Sequence, residues 1–237
     1  MKLQEIFNQL THGELWQMAA GGNETLGLTG ALQVKVLNSV NLGVLELHKR
    51  FLLRLGSVRV VRQEGQESYL LAERFAQSNT SSSEAVQYLD DSAEPFTDDR
   101  LLKIERVYRE DGCELELGHQ SFTGSLHALT MQTVIVPAEV KGDYVEVFYR
   151  AAAPRIMHGG LGWNPANVEV ELPWTHLEAL LFYVAWRLHN PGGITDDFHE
   201  GNNYMALFEA SCQRLESQGN ELREGLENYR LYRNGWV

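Results

Sequence analysis

Four ionisable side chains, Asp196, Asp197, His199 and Glu200, crowd one short stretch of the chain, and they are residue types that bind metal ions or exchange protons. Zinc sites need ligands at defined spacings, and calcium loops need several oxygens around a glycine at a fixed place. The stretch meets neither pattern. An acidic cap is the preferred reading, because carboxylates are favoured at a helix N-terminus by its dipole. His158-Gly159-Gly160-Leu161-Gly162 has the glycines of a phosphate-cradling turn. It lacks the Lys-Ser/Thr of a P-loop and does not lie between a strand and a helix, so a loop is expected. Ser39 and His48 lie in no nucleophile motif, and neither GxSxG nor HExxH occurs. His48-Lys49-Arg50 is explained by the dipole at a helix C-terminus. Cys113 and Cys212 lack CxxC or Cys/His spacing, which points to buried thiols rather than a disulfide framework or zinc. No catalytic residue, cofactor site or metal ligand is assigned.

Tyr229, Tyr232 and Trp236 make the C-terminal segment aromatic-rich. Tyr and Trp supply large contact area at interfaces, so this segment either docks on a partner or folds back on its own domain. The chain has 237 residues, enough for one large domain or two modest ones, and a formal net charge of −12. That charge argues against wrapping nucleic acid, since phosphate binding needs clustered Lys and Arg. It still allows a surface past which DNA slides without sticking. No apolar run approaches the roughly 20 residues that span a bilayer, so no membrane partner is expected. The opening MKLQEIFNQL lacks the continuous apolar core of a signal peptide, and synthesis in the cytoplasm without processing is expected.

The element that must organise these residues is Leu172 to Leu188, LPWTHLEALLFYVAWRL. Pro173 and a Thr175/Glu178 capping box mark its start. Leu177, Leu180, Leu181, Val184 and Leu188 recur at helical spacing. Ala179, Phe182, Ala185 and Trp186 leave the opposite side apolar too, so two sides need cover, from the rest of the chain or from neighbouring copies. Asn190-Pro191-Gly192-Gly193 ends the helix.

Before it, Lys2 to Leu10 predicts a helix with Leu3, Ile6, Phe7 and Leu10 on one face, followed by a loop at Gly21-Gly22-Asn23. A second helix is expected from Thr29, with the stripe Leu32, Val36, Val40, Val44 and Leu47. Gly43 inside it costs about 1 kcal/mol relative to Ala unless close packing requires it. Phe51 to Val61 reads as extended chain, pairing with Ser68 to Ala72 as a hairpin. QSNTSSSE, from Gln77 to Glu84, is a loop by composition, and a mobile one. From Leu101 to Tyr149 strand patterns persist. The alternation slips near Arg106, suggesting a bulge, and Asp111-Gly112 marks a hairpin turn. Leu129 to Val136, Tyr144 to Arg150 and the Val168/Val170 pair complete the strands. A third helix covers Gly201 to Gln218, with Tyr204, Leu207, Phe208, Ser211 and Leu215 on one face.

The expected class is α+β. Residues 1–56 and 172–218 form a helical bundle, residues 57–171 an inserted antiparallel β-domain, barrel or sandwich, and residues 219–237 an extended tail.

Four segments carry a resemblance: LHKRFLLR (Leu47 to Arg54), YVEVFYRAAAPRI, VEVELPWTHLEALLFYVAWRLHNPG and EGNNYMALFEASCQRL. Together they resemble the head-to-tail adaptor (connector or tail tubular) proteins of tailed bacteriophages. The likeness is clearest over Tyr144 to Leu215. It is thinner over the first sixty residues or so and departs at QSNTSSSE and at Asp90 to Asp99. The resemblance implies a structural virion protein of the neck or tail, without enzymatic residues or cofactors, assembled in the host cytoplasm. It implies a ring, commonly of twelve copies, that binds the portal protein above and distal tail or nozzle proteins below. Phage DNA would pass through its channel during ejection without sequence-specific binding. Tyr229, Tyr232 and Trp236 would then reach the portal, while Ala179, Phe182, Ala185 and Trp186 would face a neighbouring subunit. The runner-up is another neck, tail-completion or terminator protein. A metal-dependent hydrolase using Asp196, Asp197, His199 and Glu200 is the remaining class.

Overall fold

The computed structural model describes residues 1–15, 28, 30–115, 117, 127–159, 163–189 and 198–234. The chain divides into two compact units, Met1–Leu47 with Arg155–Val237, and His48–Pro154. The first holds the helices and the second the sheets, an α+β arrangement as the sequence predicts.

In the helical unit, α1 (Leu3–His12) buries Leu3, Ile6, Phe7 and Leu10, the face its periodicity predicts. The Lys2 backbone N–H donates to Glu5 Oε2 at 3.0 Å and secures the first turn. The chain just before α1 is extended: Leu3 N–H donates to the Val168 carbonyl (3.0 Å) and Val170 N–H to the Met1 carbonyl (2.8 Å). The Val168/Val170 alternation therefore belongs to the helical unit. The expected boundary at 171/172 moves back to Pro154/Arg155, and the one at 56/57 moves back to Leu47/His48, inside the last turn of α2. Pairing with the first residues of the chain, which strand periodicity alone does not reveal, is the reason for the first shift.

Helix α2 (Gly30–Arg50) buries Val36, Leu37, Val40, Val44 and Leu47. Gly43 faces the next helix so closely that a Cβ there would stand 2.6 Å from Leu180 Cδ1 and 2.9 Å from Tyr183 Cδ1. Close packing is thus the reason for a glycine in mid-helix. The predicted helix start at Thr29 and the loop at 21–23 lie outside the described residues.

Helix α3 (Leu177–His189) follows Pro173 and a single 3-10 turn, Trp174–His176. The predicted capping box does not form. Thr175 sits inside the 3-10 turn with its hydroxyl 3.0 Å from His176 Nδ1. Glu178 instead accepts from Arg214 Nη2 at 2.8 Å and Ser211 Oγ at 3.3 Å. A carboxylate 33 to 36 residues away from its donors reflects packing, not local chain signals. Helix α4 (Phe198–Asn234) is 37 residues long and packs chiefly on α3. It buries Phe208, Ser211 and Cys212, whereas Leu207, expected on the same face, is exposed. The expected extended tail is helical as far as Asn234. No proline interrupts residues 198–234 and most of the residues are good helix formers.

In the β-unit, two open antiparallel sheets share one core, and no closed barrel forms among the described residues. Strands β1 (Leu55–Val61), β2 (Ser68–Leu70), β3 (Leu89–Asp90), β4 (Leu101–Arg109), β5 (Glu114–Leu115), β6 (His127–Thr130), β7 (Thr133–Ile135) and β8 (Tyr144–Ala151) follow in chain order. The larger sheet runs β3-β1-β8-β4-β5 and the smaller β2-β7-β6. Val58, Val60, Val145, Val147, Ile104 and Val107 point into the core from one sheet, and Tyr69, Val134 and Val136 from the other side.

The predicted slip at Arg106 is present as a register shift between Ile104 and Arg106, joined by another between Leu101 and Lys103. Asp111-Gly112 turns β4 into β5, with Gly112 at φ 79° and its N–H donating to the Arg109 carbonyl at 2.9 Å. Two expectations are corrected. Residues 63–66 do form a turn, with Gly65 at φ 75° and Tyr69 Oη donating to the Gln66 carbonyl at 2.8 Å. Yet β2 pairs with β7 rather than β1, because β3 and β8 flank β1. The single strand expected over Leu129 to Val136 is a hairpin, β6–β7, whose turn is held by Gln132 N–H donating to Thr130 Oγ1 at 3.2 Å.

Candidate assembly surface

The residues singled out on α3 separate into two groups. Ala179 and Ala185 are fully buried, 0% exposed, within this one chain. Their cover comes from the chain itself, which corrects their assignment to a subunit interface. Helix α3 is packed against α1, α2 and α4, so its small residues meet neighbouring helices. Phe182 and Trp186 remain half-buried and keep part of their rings at the surface.

These two belong to an aromatic set spanning α3 and α4. Tyr183 meets Trp186 edge-to-face at 5.4 Å and Phe208 at 5.3 Å. Phe182 lies 6.4 Å from Tyr204, which stacks on His189 at 5.2 Å. The Arg187 guanidinium lies 5.6 Å from the Trp186 ring centroid, a cation–π distance. Burial pushes the Tyr183 hydroxyl above its usual pKa, with Arg187 pulling partly the other way. The α1 end is tied in through the Glu14 carbonyl, which lies 3.1 Å from His189 Nε2 and accepts from Tyr204 Oη at 3.4 Å. Two further apolar residues of the helical unit that sequence patterns do not single out are also exposed. Trp174 is 61% exposed and Met157 70% exposed.

The residues first considered for chemistry are less assembled. Asp196 and Asp197 lie outside the described residues. His199 and Glu200 fall in the first turn of α4, where an acidic cap belongs. Gly160 to Gly162 are likewise outside, but Gly159 has a packing role: a Cβ there would stand 2.8 Å from Trp163 Cδ1. Cys212 is buried as expected, whereas Cys113 is exposed beside the β4–β5 turn, a correction. Turn residues lie outside the core whatever their polarity. Tyr229 and Tyr232 fall on the last turns of α4, and Trp236 lies outside the described residues.

A buried polar centre that sequence reasoning did not find lies in the β-unit. Asp91 is 3% exposed. Its carboxylate accepts from Ser78 N–H at 2.9 Å, from the Ser78 hydroxyl, and from Phe96 N–H at 2.8 Å. It thereby ties down the serine-rich stretch, which has no helix or strand but many hydrogen bonds of its own, including Ser81 Oγ to Asn79 Oδ1 at 2.7 Å. Burial works to raise the Asp91 pKa, but hydrogen bonds from the Ser78 hydroxyl, the Phe96 and Ser78 N–H groups and Asp91's own N–H together outweigh it and hold the pKa below the usual aspartate value.

Among the described residues, no group of three or more His, Cys, Asp or Glu side chains is placed to hold a metal ion, and no helix is long and apolar enough to cross a membrane. Compared with protein-family models and with curated proteins, the chain matches none.

Proposed function

We propose that this chain is a structural virion protein, a ring-forming head-to-tail adaptor that joins the capsid portal to the tail and forms part of the DNA ejection channel. The observation that carries the reading is the run of family-like segments from Tyr144 to Leu215. It corresponds to β8, the extended approach to Pro173, then α3 and the first part of α4.

A length mismatch supports it. At 1.5 Å per residue, the 13 residues of α3 cover about 20 Å, whereas the 37 residues of α4 reach about 55 Å. Helix α4 outreaches the element it packs on, which suits an arm that docks on the portal. The half-exposed Phe182 and Trp186 suit a contact with a neighbouring copy, and the net charge of −12 suits a channel wall that repels phosphates rather than lodging them. In this reading the chain does no chemistry, binds no cofactor, and resides in the virion neck.

Mixing the purified chain with the portal protein of the same virion tests the proposal by electron microscopy and native mass spectrometry. Closed rings stacked on the portal are expected. Deleting residues 219–237 should abolish portal binding while the far-UV circular dichroism of the remaining helices and sheets persists. A chain that stays monomeric beside free portal at micromolar concentration would overturn the adaptor reading. Assembly on a tail component without portal would place the protein elsewhere in the neck, as a completion or terminator protein.

A further inference from the structure

We draw no further inference here: the strongest candidate, the exposed apolar face of α4 around Ala206, Leu207 and Ala210, carries nothing because nothing in the structure shows what covers it.

Discussion

Replacing Asp91 with Ala removes three hydrogen bonds at once, and their surroundings set the size of the effect. The two bonds from Ser78 lie at an exposed residue, so water replaces the lost acceptor and each costs about 1 kcal/mol. The Phe96 N–H is buried, so its orphaning costs about 1–3 kcal/mol. Relief from burying a carboxylate offsets part of this. The net expectation is a destabilisation of about 3 kcal/mol, which corresponds to a drop of roughly 6–12 °C in Tm for a chain of this size. The assay has an internal control, because all five tryptophans, at 16, 163, 174, 186 and 236, lie outside His48–Pro154. Tryptophan emission follows the helical unit, while tyrosine near-ultraviolet circular dichroism, weighted to the β-unit, and amide exchange at Ser78 and Phe96 follow the site. Exchange at Phe96 should speed up about 100-fold, which is about 2.8 kcal/mol at a factor of ten per 1.4 kcal/mol. The sign with pH follows from the lowered folded pKa. The contribution is fully present above the unfolded aspartate pKa and is lost as pH falls through the lower folded value, so wild type and Asp91→Asn converge in stability only in acid below the usual aspartate range. If Asp91→Ala costs less than 1 kcal/mol at neutral pH and Phe96 exchange is unchanged, the carboxylate does not hold this site.

Three other expectations are independent of that site. Gly43→Ala gains about 1 kcal/mol of helix propensity but drives a Cβ to 2.6 Å from the buried Leu180. Overpacking costs about 1–3 kcal/mol, so urea denaturation followed by tryptophan emission should show a net loss, and a gain would refute the close α2–α3 contact. Ala185→Asp puts a carboxylate where exposure is 0%. The isolated chain should lose about 3 kcal/mol or more and much of its helicity, whereas an unchanged monomer would return Ala185 to a contact between copies. Under native conditions a thiol reagent should modify Cys113 within minutes and leave Cys212 intact, because only the first is exposed. Equal labelling of both would contradict the packing of α4.

Local pattern was enough wherever one segment's own side-chain directions decide the outcome. The four apolar residues of α1 face one way because 3.6 residues make a turn. The slip at Arg106 is legible because alternation along a strand has period two, and Gly112 announces its turn because it adopts a positive φ without strain. The site was less legible. Ala179 and Ala185 are apolar at the right spacing, but the same spacing fits cover by the chain's own helices or by another copy. Asp91 stands in an acidic run, Asp90 to Asp99, with no signal that one carboxylate turns inward.

By itself, then, the sequence determined the α+β class, the buried faces of α1 and α3, the bulge and the β4–β5 turn, while the reason for a glycine at position 43 came from the packing of α2 on α3. Tertiary structure alone decided that β2 joins β7, that Val168 and Val170 join Met1 and Leu3, and that Glu178 serves Ser211 and Arg214. A periodicity is a property of one segment and repeats along it. A partner is chosen by competition among distant segments for the same edge or face, and β1, flanked by β3 and β8, had no edge left for β2.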